Sequence, residues 1–325
     1  MKSGEIRAMR IFRFAGWPWL LVLALIIVLT ACDHKATSDT PSRAAGLRVV
    51  TSIFPLADLA GQIGGDHVQA EALLPTGASP HSYEPGTADA KKLAAADLII
   101  LVGQGLDRFA ENLAASYPEK PVLVITKGMK LQPNPETLLT EGAGREARAG
   151  KADHGAYDPH VWLDPVLVRD VIAPAIATRL QELDPPGAGT YRENLTHLQA
   201  EITTLDRETR QQTGTFSQRR FIVFHSGWHY FAQRYNLEDI NVEEFPNQEP
   251  SARDLMEIVT LARDTGVRAV FTEPQFSPKA AQVIADEFGG RVLTLDPLGG
   301  TGREGRDSYL DLMRWNLSRL AEGLK

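Results

Sequence analysis

Short apolar runs alternate with longer amphipathic stretches along most of the chain, starting near residue 47. Eight runs have the length and β-branched content of buried strands: 47–54, 67–74, 96–103, 121–126, 220–225, 238–245, 267–274 and 291–298. Stretches with helical periodicity lie between many of them and at the C-terminal end: 55–64, 87–95, 164–183, 187–213, 226–236, 251–265, 277–288 and 307–323. This alternation predicts an α/β protein with mostly parallel sheets, because parallel strands need long crossover connections that helices usually supply.

The longest predicted helix, 187–213, divides the pattern into two parts. Its apolar residues recur at three- and four-residue steps and form one stripe: Tyr191, Leu195, Leu198, Ile202 and Leu205. At ~1.5 Å per residue this helix would span roughly 40 Å. We therefore predict two similar lobes, at 47–186 and 214–325, each a mostly parallel sheet flanked by helices, joined by one long rigid helix. Residues 132–157 have no periodicity, and we expect a mobile loop there.

The first 46 residues differ from the rest of the chain. Four basic residues precede a short apolar run at 17–29, and the small residues Thr30 and Ala31 follow it. These are the parts of a secretory signal, and the run is too short to favour a membrane span. We predict a signal peptide over 1–31 and a polar tether over 32–46.

Cys32 is the only cysteine, so the chain can form no internal disulfide. Its place directly after Leu29-Thr30-Ala31 resembles the cleavage site of bacterial lipoproteins, which implies lipidation of Cys32 and anchoring to a membrane. Asp33 then implies retention on the inner membrane of a Gram-negative cell, facing the periplasm. An ordinary signal peptide with an incidental cysteine is the alternative.

Charge narrows the class of partner. Charged residues make up 23% of the chain and hydrophobic ones 43%, as in soluble globular proteins. Removal of residues 1–31 would take away four basic residues and Glu5, leaving a net charge of −10. Such a field repels nucleic acid and favours cations, so we predict no nucleic-acid partner.

Candidate chemistry lies where predicted strands end and in nearby loops. His225 and Asp296 close or follow strands of the second part, while His81 and His160 lie in loops of the first. Ligands of open α/β sheets bind beyond the carboxyl ends of the strands. Three imidazoles and a carboxylate suit Zn²⁺, and they suit Mn²⁺ less well. Residues spaced this widely form no local motif, so surface or core roles stay open for each histidine.

The segment DPHVWLDP frames one of these histidines with two prolines. Pro159 and Pro165 fix their own φ and keep the preceding aspartates out of the helical region. We expect this frame to hold His160 still beside the loop that precedes it.

Several segments together resemble one family: GASPHSYEP, DPHVWLDP, FIVFHSGWHYFAQRY, FTEPQFSP, TLDPLG and SYLDLMRWNLSRLAEGL. They look like the signature segments of the cluster 9 (cluster A-I) solute-binding proteins, the periplasmic or lipid-anchored zinc and manganese receptors of ABC importers. The resemblance covers about residues 47–325 in the same order. It implies a monomeric receptor, not an enzyme, that captures zinc in the periplasm and delivers it to an ABC permease.

The resemblance also implies a ligand set of His81, His160, His225 and Asp296. Histidine at position 225 favours zinc, because manganese-type members often place glutamate there. Two points leave this ligand set and its metal open on the resemblance alone. The loop before His160 holds only His154, where many zinc receptors are histidine-rich. Some zinc members use three histidines plus water, which would leave Asp296 beside the ligands.

Other residues and functions remain as alternatives. Glu273 could be a ligand, a hydrogen-bond partner of a ligand or a cap of backbone amides. His229 is four residues after His225, but Ser226 replaces the glutamate of a zincin motif, so we interpret His229 as a packing residue. The competing functions are a manganese receptor, a zinc hydrolase with Glu273 as base, and an adhesive surface lipoprotein.

Overall fold

The computed structural model describes residues 46–134, 156–243, 252–275 and 278–325. The predicted signal peptide, nearly all of the tether, Cys32 and His154 lie outside the described residues. Within the described ranges, no helix combines the length and the apolar character needed to cross a membrane.

The first half is a four-stranded parallel sheet with helices in its connections. Its elements are β1 (Leu47–Thr51), α1 (Phe54–Gly64), β2 (Val68–Ala72), α2 (Thr87–Ala95), β3 (Leu98–Leu101), α3 (Arg108–Ala114) and β4 (Val122–Val124). The strand order is β2-β1-β3-β4, and every neighbouring pair is parallel. The strand order therefore changes direction between β1 and β3, a place where open α/β sheets commonly bind ligands.

A helical segment connects the two sheets. It starts with the turn Pro165–Leu167, passes through a π-helical turn at Val168–Ile172 and continues as α4 (Ala173–Leu183). The next helix, α5 (Ala188–Thr213), has 26 residues and buries Tyr191, Leu198, Ile202 and Leu205. It packs against α1, α4 and the last helix of the chain, so it contacts both halves of the protein.

The second half repeats the sheet order of the first. Its elements are β5 (Arg220–His225), α6 (His229–Arg234), β6 (Glu238–Glu243), α7 (Ala252–Thr265), β7 (Ala269–Thr272), α8 (Lys279–Phe288), β8 (Arg291–Thr294) and α9 (Tyr309–Leu324). The order is β6-β5-β7-β8, again with all neighbours parallel. The predicted α/β class, the paired sheets and the long helix are therefore confirmed.

The differences from the predicted elements are local. All eight strands form, but most end earlier than the apolar runs do, because their last residues turn into loops and helix starts. Helix α3 was not predicted. Its seven residues follow a loop in which Gly103, Gln104 and Gly105 have positive φ, and the polar and glycine-rich surroundings obscured so short a period.

The two halves share one apolar core. Phe221 and Val223 of β5 belong to the same buried cluster as Leu47 and Ile99 of the first sheet. The alternate residues of β5, Ile222 and Phe224, face a second cluster formed with α7 and α8. The second sheet is therefore buried on both faces, as parallel sheets usually are.

Polar ties also join residues far apart in the chain. The Asp58 carboxylate of α1 accepts a 2.7 Å hydrogen bond from the backbone N–H of Tyr309, the first residue of α9. The Tyr309 hydroxyl donates to the carbonyl of Trp162, whose indole N–H donates to the carbonyl of Pro297. These bonds fix the start of α9 against the first half.

Candidate metal site

His160 is held by the aspartate two residues before it. The Asp158 Oδ1 atom accepts from the His160 backbone N–H at 2.9 Å and lies 2.8 Å from Nδ1 of the imidazole ring. Both side chains are buried, and the ring packs against the Trp162 indole at 5.2 Å between centroids. The proline-framed segment therefore fixes this imidazole from its backbone and from its ring.

Burial changes the protonation of this pair. Desolvation, and then the nearby His225, lowers the pKa of His160 well below its usual 6.5, so this imidazole is neutral at pH 7. Desolvation raises the pKa of Asp158 to about 7. A neutral imidazole is the form that binds a metal ion, so His160 need not lose a proton to serve as a ligand.

His225 is the last residue of β5, at the carboxyl end of a central strand. Glu273 directly follows β7, the neighbouring strand, and its Oε1 atom lies 3.1 Å from His225 Nδ1. Both side chains are at most 6% exposed. The pair flanks the point where the strand order of the second sheet changes direction, which is the usual ligand position in such sheets.

His81 lies in the loop between β2 and α2 and is half-buried. Its backbone N–H donates to Ser79 Oγ at 3.3 Å, a turn that presents the ring to the second half. The ring centroid lies 5.0 Å from that of His225, and His225 lies 4.9 Å from His160. The loop thus completes a group that spans both halves.

One ring nitrogen from each of His81, His160 and His225 can be chosen so that all three lie within 4.8 Å of one another. Zn–N bonds of ~2.0–2.1 Å in a tetrahedral site require nitrogens about 3.3 Å apart. A small inward movement would therefore allow all three to bind one ion. The adjoining cavity, walled by Pro80, Trp162 and Leu298, holds only about 10 Å³. That space suits an ion and excludes an organic ligand.

Asp296 does not join this group. Its Oδ1 atom accepts from the backbone N–H groups of Leu298 and Gly299, and its Oδ2 accepts from Arg306 at 2.9 Å. Asn316 bonds the backbone N–H and carbonyl of Asp296. In this arrangement the carboxylate organises its own loop, and the expectation that Asp296 binds the metal stays a prediction. The carboxylate positions Pro297 and Leu298, which line the cavity.

His229 has a role apart from the three clustered histidines. His229 begins α6, its Nδ1 lies 3.2 Å from Asp239 Oδ1, and its Nε2 lies 2.8 Å from the Gln233 side-chain amide. It is therefore a polar packing residue, and it does not share a helical face with His225. The hydrogen bond to Asp239, the largest cause, raises the pKa of His229.

Sequence reasoning missed two residues that shape the site. Asp158 was seen only as half of an Asp-Pro pair, although an acidic residue two positions before a candidate ligand was a usable signal. Gly227 was not considered. A Cβ atom there would lie 3.3 Å from His160 Cδ2 and 3.4 Å from His225 Nδ1, so a side chain at this position would press on both rings.

Comparison with known proteins identifies the family. The model of the ZnuA family, described as zinc-uptake complex component A, periplasmic, matches residues 49–323. The chain belongs to the ZnuA family. It is therefore a metal-binding, substrate-binding protein of the ABC-importer type, not an enzyme, and the resemblance stated above is confirmed.

Relatives within the ZnuA family differ in the metal that their names give. The high-affinity zinc uptake system protein ZnuA of Bacillus subtilis (strain 168) is 28% identical over 319 residues, covering 96% of this chain and 98% of that protein. The manganese ABC transporter substrate-binding lipoprotein PsaA of Streptococcus pneumoniae is 28% identical, covering 94% and 96%. A crystal structure of ZnuA superposes with a TM-score of 0.74 at 32% identity, covering 86% of this chain and 100% of that one.

Proposed function

We propose that this chain captures Zn²⁺ with His81, His160 and His225 and delivers it to the permease of an ABC importer. Membership of a family that binds divalent metals and works with such permeases supports this. The observation that carries the choice of metal is the ligand set: three imidazoles from distant segments converge at the junction of the two halves. Nitrogen ligands favour Zn²⁺, whereas Mn²⁺ prefers carboxylate and water oxygen.

Manganese is the second candidate, because relatives named for manganese match as extensively as one named for zinc. A direct carboxylate ligand would favour Mn²⁺. Glu273 is close enough to His225 to turn toward an ion, whereas Asp296 is occupied by Arg306. Measured affinities for both metals decide between the two.

The setting of the receptor is part of the proposal. The Leu29-Thr30-Ala31-Cys32 sequence supports lipidation of Cys32, a tether over 32–46 and a place on the periplasmic side of the inner membrane. Relatives named as lipoproteins support an anchor of this type. We further propose a monomer whose lobes are 47–186 and 214–325, connected through 187–213.

Isothermal titration of the metal-stripped protein tests the ligand set. We expect Zn²⁺ to bind at one site per chain and more tightly than Mn²⁺. His81→Ala, His160→Ala and His225→Ala should each weaken zinc binding by at least 100-fold, because each removes one of three nitrogen ligands. His197→Ala is the matched control, since this histidine is 75% exposed on α5.

Two results contradict the proposal in different ways. Tighter binding of Mn²⁺ would replace zinc as the cargo while keeping the site. Unchanged zinc affinity in the His160 and His225 variants would remove the site itself.

A further inference from the structure

Two of the three clustered imidazoles have a buried carboxylate at the same ring atom. Asp158 Oδ1 lies 2.8 Å from Nδ1 of His160, and Glu273 Oε1 lies 3.1 Å from Nδ1 of His225. All four side chains are between 0% and 6% exposed. The arrangement occurs once in each half, on segments that share no sequence pattern.

The hydrogen-bonding capacity of these groups decides which nitrogen faces the metal. A neutral imidazole has one N–H donor and one acceptor nitrogen, and an ionised carboxylate can only accept. Where the carboxylate oxygen accepts, the ring proton lies on Nδ1 of His160 and of His225. Each Nε2 then keeps the lone pair that a metal ion requires.

We propose that Asp158 and Glu273 are positioning residues that select Nε2 of His160 and His225 as the metal ligands. The inference rests on the proposed function and assigns a role to groups that do not themselves bind the ion. Asp158 also accepts from the His160 backbone N–H, so one oxygen fixes both the main chain and the ring. Glu273 joins adjacent strands, so its bond orients the His225 ring relative to β7.

Charge gives the pair a second effect. Two carboxyl groups beside the ligand rings can offset the charge of one divalent ion, and hydrogen bonds from the ligand rings increase the basicity of Nε2. Binding by three neutral imidazoles alone would instead leave two positive charges in a buried place. The carboxylates therefore favour a divalent cation at this position.

The test uses the metal-stripped full chain and two substitutions at each position. Asp158→Ala and Glu273→Ala remove the acceptor, and we expect zinc affinity to fall about 10–100-fold. Asp158→Asn and Glu273→Gln keep an acceptor oxygen but lose the charge, so their losses should be smaller. Asp164→Asn is the control, a buried aspartate of the same segment whose side chain pairs with Arg234.

Long-range ¹H–¹⁵N correlation spectra of the imidazoles provide a readout that a structural role would not move. The wild-type protein should show the Nδ1–H tautomer at His160 and His225, and each alanine variant should show a mixture at the affected ring. Circular dichroism establishes that each variant is folded. If an alanine variant does not fold, the zinc affinity of the Asn or Gln variant carries the test, and an unchanged affinity would overturn the positioning role.

The outcomes separate this inference from the proposed function. Wild-type protein that fails to bind zinc would overturn the function. Wild-type binding with unchanged tautomers and unchanged affinity in the variants would overturn the positioning role alone. In the alanine variants, a fall in affinity while the tautomers stay as in the wild type would likewise overturn only the positioning role.

Discussion

A side chain at Gly227 would make tight contacts with two imidazoles. The φ of Gly227 is not in the left-handed region, so alanine fits the backbone there, and only the contacts of its Cβ with His160 and His225 oppose it. Contacts of 3.3–3.4 Å require one partner to move by a few tenths of an ångström. Both rings are buried, so the movement would reach the nitrogens that we expect to bind metal.

We expect Gly227→Ala to weaken zinc binding several-fold, because the added methyl group displaces one or both rings from their shared position. Competition with a chromophoric chelator measures the change. Gly189→Ala on α5 is the matched control, since nothing lies within 4 Å of its added Cβ. That control should gain about 0.5–1 kcal/mol in free energy of unfolding and keep its zinc affinity. Equal affinity in both variants would show that the rings have spare room.

For single residues, the sequence could predict where along the chain candidate ligands lie, but it could not predict where their side chains point. The rule that ligands gather at strand ends predicted His225 as a ligand, with Glu273 as an alternative. Loops near the strand ends supplied His81 and His160, and the family resemblance implies all three histidines. The same reasoning placed Asp296 among the ligands. Its direction depends on Arg306, ten residues away, and on two backbone amides whose position only the folded loop defines.

The helical turn Pro165–Leu167, which follows the His160 segment, depends on a second aspartate. Asp164 Oδ1 accepts from the backbone N–H of Val166 and caps the following turn. Both of its oxygens also accept from Arg234 of α6, with distances of 2.7–2.9 Å. Asp164 is 4% exposed and Arg234 31%, so this is a mostly buried ion pair between segments 70 residues apart.

Asp164→Asn should lower the free energy of unfolding by about 2–3 kcal/mol, since asparagine keeps the helix cap but leaves Arg234 without its charged partner. Thermal denaturation followed by circular dichroism checks this. Arg220→Gln is the control: its pair with Glu238 is about half exposed, and its loss should cost less than about 0.5 kcal/mol. A drop no larger than that of the control would show that Asp164 acts only as a cap.

Element boundaries were predictable where the period was long. Helix α5 was expected at 187–213 and forms at Ala188–Thr213, because its apolar stripe recurs from Tyr191 to Leu205, over about four turns. The seven residues of α3 are too few to show a helical period. The π-helical turn at Val168–Ile172 has no sequence signature. It interrupts the segment 164–183, for which the periodicity predicted one helix.

On the scale of the whole molecule, the site depends on both halves. His81 and His160 come from the first half and His225 from the second, while α5 and the shared core hold the halves together. The repeated strand order could be expected from the alternation of strands and helices. The juxtaposition of the two halves could not, because it depends on packing between residues far apart in the chain.

Zinc should stabilise the folded protein as one unit. At a free zinc concentration 100 times the dissociation constant, we expect a gain of about 2.7 kcal/mol, because the ion binds the folded state alone. Differential scanning calorimetry with and without a chelator measures it, and the His225→Ala variant should gain at most about 0.4 kcal/mol at the same zinc concentration. A zinc-dependent shift confined to one of two separate transitions would mean that the halves unfold independently.

The hydrogen bond from Tyr309 to Asp58 has a consequence for the order of folding. Asp58 is made early in synthesis, but its partner belongs to the last 17 residues of the chain, 251 positions later. Helix α1 cannot make this hydrogen bond until the start of α9 has been synthesised, and contacts between residues so far apart in the chain form slowly. This contact of the first half is therefore made late, and shortening the C-terminus would leave α1 without it.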